Sequence, residues 1–171
     1  MKMLTTQING LLQRIGANNA DSIEETARLL AQASIGEGRV ILAGFDEMEA
    51  VYLLAKLGVE PFENIHPYVI GMSIGKADRV WILSRNEADL RVLELARRLA
   101  SEFIPFAAVA SGKPEANNEL ADLATTYIYT GLAQGLLPGD DNKRIVQPHL
   151  LATLYVYEGV KLSYDEMLSD E

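Results

Sequence analysis

The chain has 171 residues, 24 acidic against 15 basic, and a formal net charge of −9. That length suits one domain with a core of its own, and the acidic balance excludes nucleic acid as the main partner, because a phosphate backbone needs a basic face. Cysteine is absent, which excludes disulfides, thiolate metal sites and cysteine nucleophiles and fits a reducing, cytoplasmic setting. The opening MKMLTTQING lacks the apolar run of a signal peptide. No stretch approaches the roughly 20 apolar residues of a membrane span, so no membrane partner is expected.

The first segment reads as a helix, since Leu4, Ile8, Leu11, Leu12 and Ile15 fall on one stripe. Gly16 and the Asn18-Asn19 pair predict its end, and Asp21 followed by Glu24 has the spacing of a capping box opening a second helix. That helix carries Ile23, Ala27, Leu30 and Ala31 on one face and stops before Gly36. The texture then changes. Val40 to Ala43 is a short apolar run between glycines, as in a strand buried on both faces. Similar runs recur at Val80 to Leu83, Phe106 to Val109 and Tyr127 to Tyr129, with Pro67 to Ile70 a weaker strand candidate. Helical patterns lie between them: Met48 to Leu57, then Leu90 to Phe103 with Leu95, Leu99 and Phe103 in phase, then Glu115 to Leu123. Strands alternating with helices of this length indicate βαβ units and a parallel sheet.

Gly131 to Ile145 has no periodicity and reads as a long loop. A last helix starts near Pro148, a residue suited to the first helical position. Its stretch from Leu150 to Tyr157 is apolar nearly all round, which predicts burial with a second copy of the chain as cover. The tail YDEMLSDE holds four carboxylates in its last seven residues and reads as solvated.

Two helices, a strand ending in glycine, and a later strand ending in serine before a helix together resemble a sugar isomerase (SIS) domain. Within that superfamily the chain resembles phosphoheptose isomerase, and more narrowly it is similar to a small uncharacterised group of SIS-like proteins from Gram-positive bacteria. The resemblance implies an α/β fold of three layers, α-β-α, around a five-stranded parallel sheet of flavodoxin or Rossmann type. It also implies homodimers or higher homo-oligomers, no cofactor, and a small carbohydrate derivative, typically a sugar phosphate, at the carboxyl ends of the strands. On this basis residues 1–171 form a single SIS-like domain: N-terminal helices over 1–36, an α/β core over 37–147, a C-terminal helix over 148–163 and an acidic tail over 164–171.

The loops depart from the family's pattern. Where the family's first loop reads roughly G-x-G-x-S, GFDEM keeps Gly44 but has Asp46 at the second glycine and Met48 at the serine. Where the second reads S-x-S-G-x-T, SRNEAD keeps Ser84 but has Asn86, Glu87 and Asp89 at the other three positions. The glutamate used by phosphoheptose isomerases falls at Gly58 or Leu57, and neither can act as a base. In the last helix the family has R-I-Q-E-x-H and a second histidine; here RIVQPH keeps Arg144, Ile145 and His149, and Leu154 stands at the second histidine.

Isomerisation of an aldose to a ketose needs a base beside the carbonyl and an acid to move the proton between oxygens. His149 is the catalytic candidate, because the positive end of a helix dipole favours neutral imidazole; a surface histidine at a helix start has the same signature. His66, in the turn before Pro67, reads as structural. The ligand-binding candidates are Gly44, Asp46, Ser84, Arg85, Asn86, Asp89 and Arg144. Ser84 also has a local alternative, the closing of a turn at a strand end.

Asp46 with Glu49, and Asn86 with Asp89, have cap-type spacing at helix starts. The protein then offers its own carboxylates to the N–H groups that would bind phosphate, beside Glu47 and Glu87. Simple capping and a ligand role both predict weak phosphate binding, with Arg85, Lys143 and Arg144 as the offsetting cations. Asp140 and Asp141 offer oxygens to a hard cation, although adjacent acids also make a solvated turn, and no metal is assigned. Ser111-Gly112-Lys113 ends like a Walker A motif but lacks its glycine spacing and its Ser/Thr, and is set aside. Two readings remain. One is a domain that binds a sugar phosphate or related carbohydrate derivative, with degenerate catalytic and phosphate-loop motifs; the other is a catalytically silent dimer with a structural or regulatory role.

Overall fold

The apolar stripe of the first segment continues well past Gly16. In the computed structural model, which describes residues 1–169 apart from the Asp141 side chain, one helix, α1 (Lys2–Ile35), runs through with a kink at Asn19 (φ −127°, ψ 17°). The expected interruption therefore falls at Asn19, one of the pair that predicted it, rather than at Gly16, and no side-chain capping box forms at Asp21 among the described hydrogen bonds. Gly16 leaves room for the Tyr155 hydroxyl, which a Cβ there would approach to 2.7 Å. The kink follows from the buried Asn19 amide, which serves the sheet as well as the helix. Its Nδ2 donates to the carbonyls of Ile15 at 2.8 Å and Tyr129 at 3.0 Å, and its Oδ1 accepts from the Tyr129 N–H at 3.1 Å. Buried amides persist only with such partners.

Five strands form one parallel sheet: β1 (Val40–Gly44), β2 (Ile65–Pro67), β3 (Arg79–Leu83), β4 (Phe106–Ala110) and β5 (Thr126–Tyr129). Their order is β2-β1-β3-β4-β5. Helices α2 (Glu49–Leu57), α3 (Leu90–Ser101), α4 (Glu119–Leu123) and α5 (His149–Ser169) complete a three-layer α/β fold. Leu42, Trp81, Leu83 and Val109 enter the core shared with α1, α2 and α5, while Ile41, Ala43, Ile82 and Ala108 enter the core shared with α3 and α4. Both faces of the sheet are covered, which is why the strands read as unbroken apolar runs. Each large side chain buried this way contributes about 1.5–3 kcal/mol. Among the described residues no helix is long and apolar enough to cross a membrane.

Several boundaries differ from the sequence expectation, each for a local reason. β2 ends at Pro67, where the strand was expected to begin: proline has no N–H for the ladder, and Val69 and Ile70 go to solvent. α3 ends at Ser101, leaving Phe103 82% exposed with a left-handed backbone (φ 56°). The Ile104 N–H bonds back to the Leu99 carbonyl and the Phe103 N–H to that of Ala100, a helix ending in which the left-handed residue is usually glycine. α4 begins only at Glu119, because Asn117 has φ 53° and the Asn118 side chain caps the Ala121 N–H at 3.0 Å.

The 131–145 segment is more than a loop. Leu132 and Leu136 are buried in the core beside α1, and β6 (Leu137–Pro138) pairs antiparallel with β7 (Arg144–Ile145) around a 3-10 turn at Asp140–Asn142. α5 runs on to Ser169, and Tyr164, expected in a solvated tail, is fully buried with its hydroxyl against Ser34. The last two tail carboxylates, Asp170 and Glu171, lie outside the described residues. The apolar stretch of α5 finds most of its cover in α1 of the same chain, so its pattern alone does not require a partner. Leu151, Tyr155 and Leu162 stay exposed.

Candidate functional site

In an open parallel sheet the ligand crevice lies at the carboxyl ends of the two strands from which the chain departs in opposite directions. Here those strands are β1, followed by α2 on the α1 and α5 side, and β3, followed by α3 on the other side. The segments Phe45–Met48 and Ser84–Asp89 therefore flank one crevice.

Gly44 ends β1 because the chain folds back at once into a 3-10 turn at Asp46–Met48. A Cβ at Gly44 would stand 2.5 Å from the Met48 carbonyl oxygen. Asp46 has φ 54°, a conformation that favours glycine, the residue at this place in the resembled family. Its carboxylate makes no cap bond at the turn or at α2, which corrects the capping expected from the Asp46–Glu49 spacing. Instead it takes the Arg91 guanidinium at 2.9 and 3.1 Å and lies 3.7 Å from that of Arg85.

The second loop uses its polar atoms locally. The buried Ser84 hydroxyl donates to the Asn86 carbonyl at 2.9 Å and accepts from the Asn86 N–H at 3.1 Å, so it closes its own turn. Asn86 Oδ1 accepts from the Ala88 N–H at 3.0 Å. Asp89 caps α3 by accepting the Arg91 N–H at 2.9 Å, and the Arg91 guanidinium folds back onto it at 2.6 Å. That guanidinium holds the Asp89 carboxyl below the usual carboxylate range, and Asp89 and then Asp46 push Arg91 higher in return. Arg91 also sits 5.7 Å over the Phe45 ring, and Arg85 reaches Glu47 at 3.1 Å. The run Glu47–Arg85–Asp46–Arg91–Asp89 thus ties the two loops together across the crevice. Exposed pairs of this kind add little stability singly; their effect here is to occupy both arginines.

His149 is the first residue of α5 and is 9% exposed, which corrects the surface alternative. Its Nδ1 is buried without a hydrogen-bond partner among the described residues. Burial pushes its pKa below the ordinary 6.5; nearby Glu47 opposes that shift and Arg85 adds to it. α5, which His149 opens, also contacts the Asp46–Met48 turn of the first loop directly.

Arg144 lies elsewhere. It sits on β7 rather than on the last helix, and its guanidinium donates to the carbonyls of Gly135 at 2.6 Å and Leu136 at 2.7 Å. His66 is half-buried on β2. Asp140 opens the 3-10 turn, its carbonyl accepting the Lys143 N–H at 3.1 Å, while the Asp141 side chain lies outside what is described. Among the described residues no three His, Cys, Asp or Glu side chains gather into a group able to hold a metal ion.

Two concave surfaces adjoin Gly44. One of about 490 Å³ includes Asp46, Glu47, Glu49, Tyr52 and Tyr68; the other, of about 710 Å³, includes Phe45, Tyr68 and Arg91. Ser84, Asn86, Asp89, His149 and Arg144 line neither. Sequence reasoning missed Arg91, which meets Asp46 across 45 positions of chain with no motif to mark it. It also missed that Glu87 accepts from the Gly112 N–H at 2.9 Å and from the Ser111 hydroxyl at 3.3 Å. The discarded Ser111-Gly112 pair therefore belongs to the same group of loops.

The fold is similar to that of a solved sugar isomerase domain. The sugar isomerase domain of an RpiR transcription factor from Sphaerobacter thermophilus superposes with a TM-score of 0.58 at 15% identity, covering 99% of this chain and 97% of that one. The NanR protein of Vibrio vulnificus, complexed with ManNAc-6P, superposes with a TM-score of 0.62 at 15% identity, covering 96% of this chain and 66% of that one. The chain belongs to the family described as Domain of unknown function (DUF2529), which it matches over residues 1–168. It is 30% identical to the uncharacterised protein YwjG of Bacillus subtilis (strain 168) over 173 residues, covering 99% of this chain and 98% of that protein.

Proposed function

We propose that this chain is a single SIS-like domain over residues 1–171 that binds a sugar phosphate or related carbohydrate derivative at the crevice between β1 and β3. The supporting observation is the pairing of the Gly44–Asp46 turn with the Ser84–Asp89 turn across the switch point of the sheet, next to α5, the helix that contacts the Asp46–Met48 turn and opens on His149, whose buried Nδ1 has no hydrogen-bond partner among the described residues. Arg85, Asn86 and Asp89 face the ligand in this reading, Ser84 shapes the turn, and His149, whose pKa burial lowers, is the imidazole base. The ManNAc-6P complex of NanR supports the ligand class. Efficient phosphoheptose isomerisation is not part of the proposal, because Leu57 and Gly58 stand where the resembled enzymes carry their glutamate.

The test is thermal unfolding with a panel of pentoses, hexoses, heptoses and hexosamines, each free and phosphorylated. A ligand at 100 times its Kd stabilises by about 2.7 kcal/mol, a rise of roughly 5–10 °C for a domain of this size. We expect such a rise with at least one member of the panel and its loss in His149→Ala. No rise with any of them overturns the reading.

A second reading, a catalytically silent dimer with a structural or regulatory role, is favoured by one observation: the Ser84 hydroxyl and the Asp89 carboxylate are spent within their own loop. The RpiR protein, a transcription factor with a sugar isomerase domain, is a structural neighbour that supports the regulatory role. A homodimer and a cytoplasmic setting belong to both readings. The first is supported by the exposed Leu151, Tyr155 and Leu162 side chains, the second by the absence of cysteine.

A further inference from the structure

We propose that Glu87 and Asp89 set the specificity of the crevice by filling its anion-binding donors, so that the carbohydrate it takes carries no phosphate. This rests on the carbohydrate-binding reading above and narrows it to neutral and amino sugars. The amino end of a helix at a switch point offers free N–H groups and a positive dipole end, the natural seat of an anionic ligand group. In this chain the seat is taken. Asp89 holds the Arg91 N–H at 2.9 Å. Glu87, two residues earlier, reaches over to the loop after β4 and accepts the Gly112 N–H at 2.9 Å; the Ser111 hydroxyl, 3.3 Å from the same carboxylate, donates to the Arg85 carbonyl at 2.6 Å.

The arginines of the second loop and of the first turn of α3 are occupied too. Arg91 lies between Asp89 at 2.6 Å and Asp46 at 2.9 Å, and Arg85 lies between Glu47 at 3.1 Å and Asp46 at 3.7 Å. An entering phosphate must displace a tethered carboxylate and then sit among the charges it leaves. Groups that remain open have a different chemistry. Neutral imidazole has one donor and one acceptor nitrogen, and Nδ1 of His149 is buried without a partner among the described residues. His149 does not line the cavity beside Gly44, which presents Glu49, Tyr52 and Tyr68. These groups match sugar hydroxyls, an amino group and the apolar face of a sugar ring.

Two double variants test the inference. Glu87→Gly with Asp89→Thr frees the Gly112 N–H and puts a neutral cap on α3 in place of a charged one; Glu87→Gln with Asp89→Asn keeps the shapes and removes both charges. Wild type and variants are melted with inorganic phosphate, glucose 6-phosphate, glucose and glucosamine, and the panel above supplies the matching pairs for other sugars. Wild type is expected to respond to a free or amino sugar and not to its phosphate. Both variants are expected to bind inorganic phosphate at least about tenfold more tightly than wild type, as removal of two nearby charges requires. If the first variant does not melt cooperatively, the second carries the test. A wild type that prefers the phosphorylated member of a pair overturns this inference and leaves the carbohydrate reading intact. So does failure of the folded variants to gain phosphate binding. Silence of wild type toward every sugar overturns both.

Discussion

His149 shows how one side chain's surroundings set its chemistry. Burial penalises the charged imidazolium, and the pKa falls below 6.5 despite the opposing carboxylate of Glu47. The unfolded chain therefore takes up the proton first as pH falls. Stability from this residue is full above about pH 6.5 and is lost as pH drops through the folded-state value. We expect the urea midpoint of wild type to decline from pH 7 to pH 5 more steeply than that of His149→Asn. An imidazole proton resonance titrating at or above 6.5 in the folded protein would contradict the assignment. The histidine and the loop carboxylates were legible in the sequence as candidates. Their pairing was not: Arg91 reaches Asp46 only because β1 and β3 are neighbours in the sheet.

Elements were legible where pattern and burial coincide. β1, β3, β4 and β5 stand where apolar runs place them, because a strand covered on both faces has no polar alternation to confuse the reading. Ends were less legible. Phe103 keeps the phase of the α3 stripe, yet it lies past the end of the helix in a left-handed conformation. Periodicity carries no information about where a helix stops; backbone closure does. Because Phe103 is exposed and its conformation is one that glycine adopts freely, Phe103→Gly is expected to stabilise the protein by about 1 kcal/mol. Phe103→Ala, which keeps the left-handed strain, is the control. Equal chemical-denaturation midpoints for the two variants would refute the mechanism. Asn19 adds to this: the interruption predicted at the Asn18-Asn19 pair is there as a kink between two helical runs, but its pairing with Tyr129 was not legible.

At the scale of the whole molecule, the first reading of α5 was right about burial and incomplete about what buries it. α1 covers most of its apolar surface, and what remains is the set Leu151, Tyr155 and Leu162. We expect sedimentation of a dimer at micromolar concentration and of a monomer for Leu162→Glu, with the melting curve still cooperative. A monomeric wild type would refute the dimer. The net charge of −9 also gains a location. Asp46, Glu47 and Asp89 pair with Arg85 and Arg91, and Glu87 turns to Gly112. Acids that look like a repulsive ring in the sequence are instead tethered across the crevice.

From sequence alone come the α/β class, the parallel sheet, the absence of thiol chemistry and the acidic character of the loops, because these depend on composition and on periodicity along the chain. Strand order, the crevice at β1 and β3, the kink at Asn19 and the partners of each loop carboxylate were decided by tertiary structure. The reason is distance along the chain: Asp46 and Arg91 stand 45 positions apart, and Asn19 and Tyr129 stand 110 apart. Local pattern says nothing about which segments meet; burial of both sheet faces determines that they do.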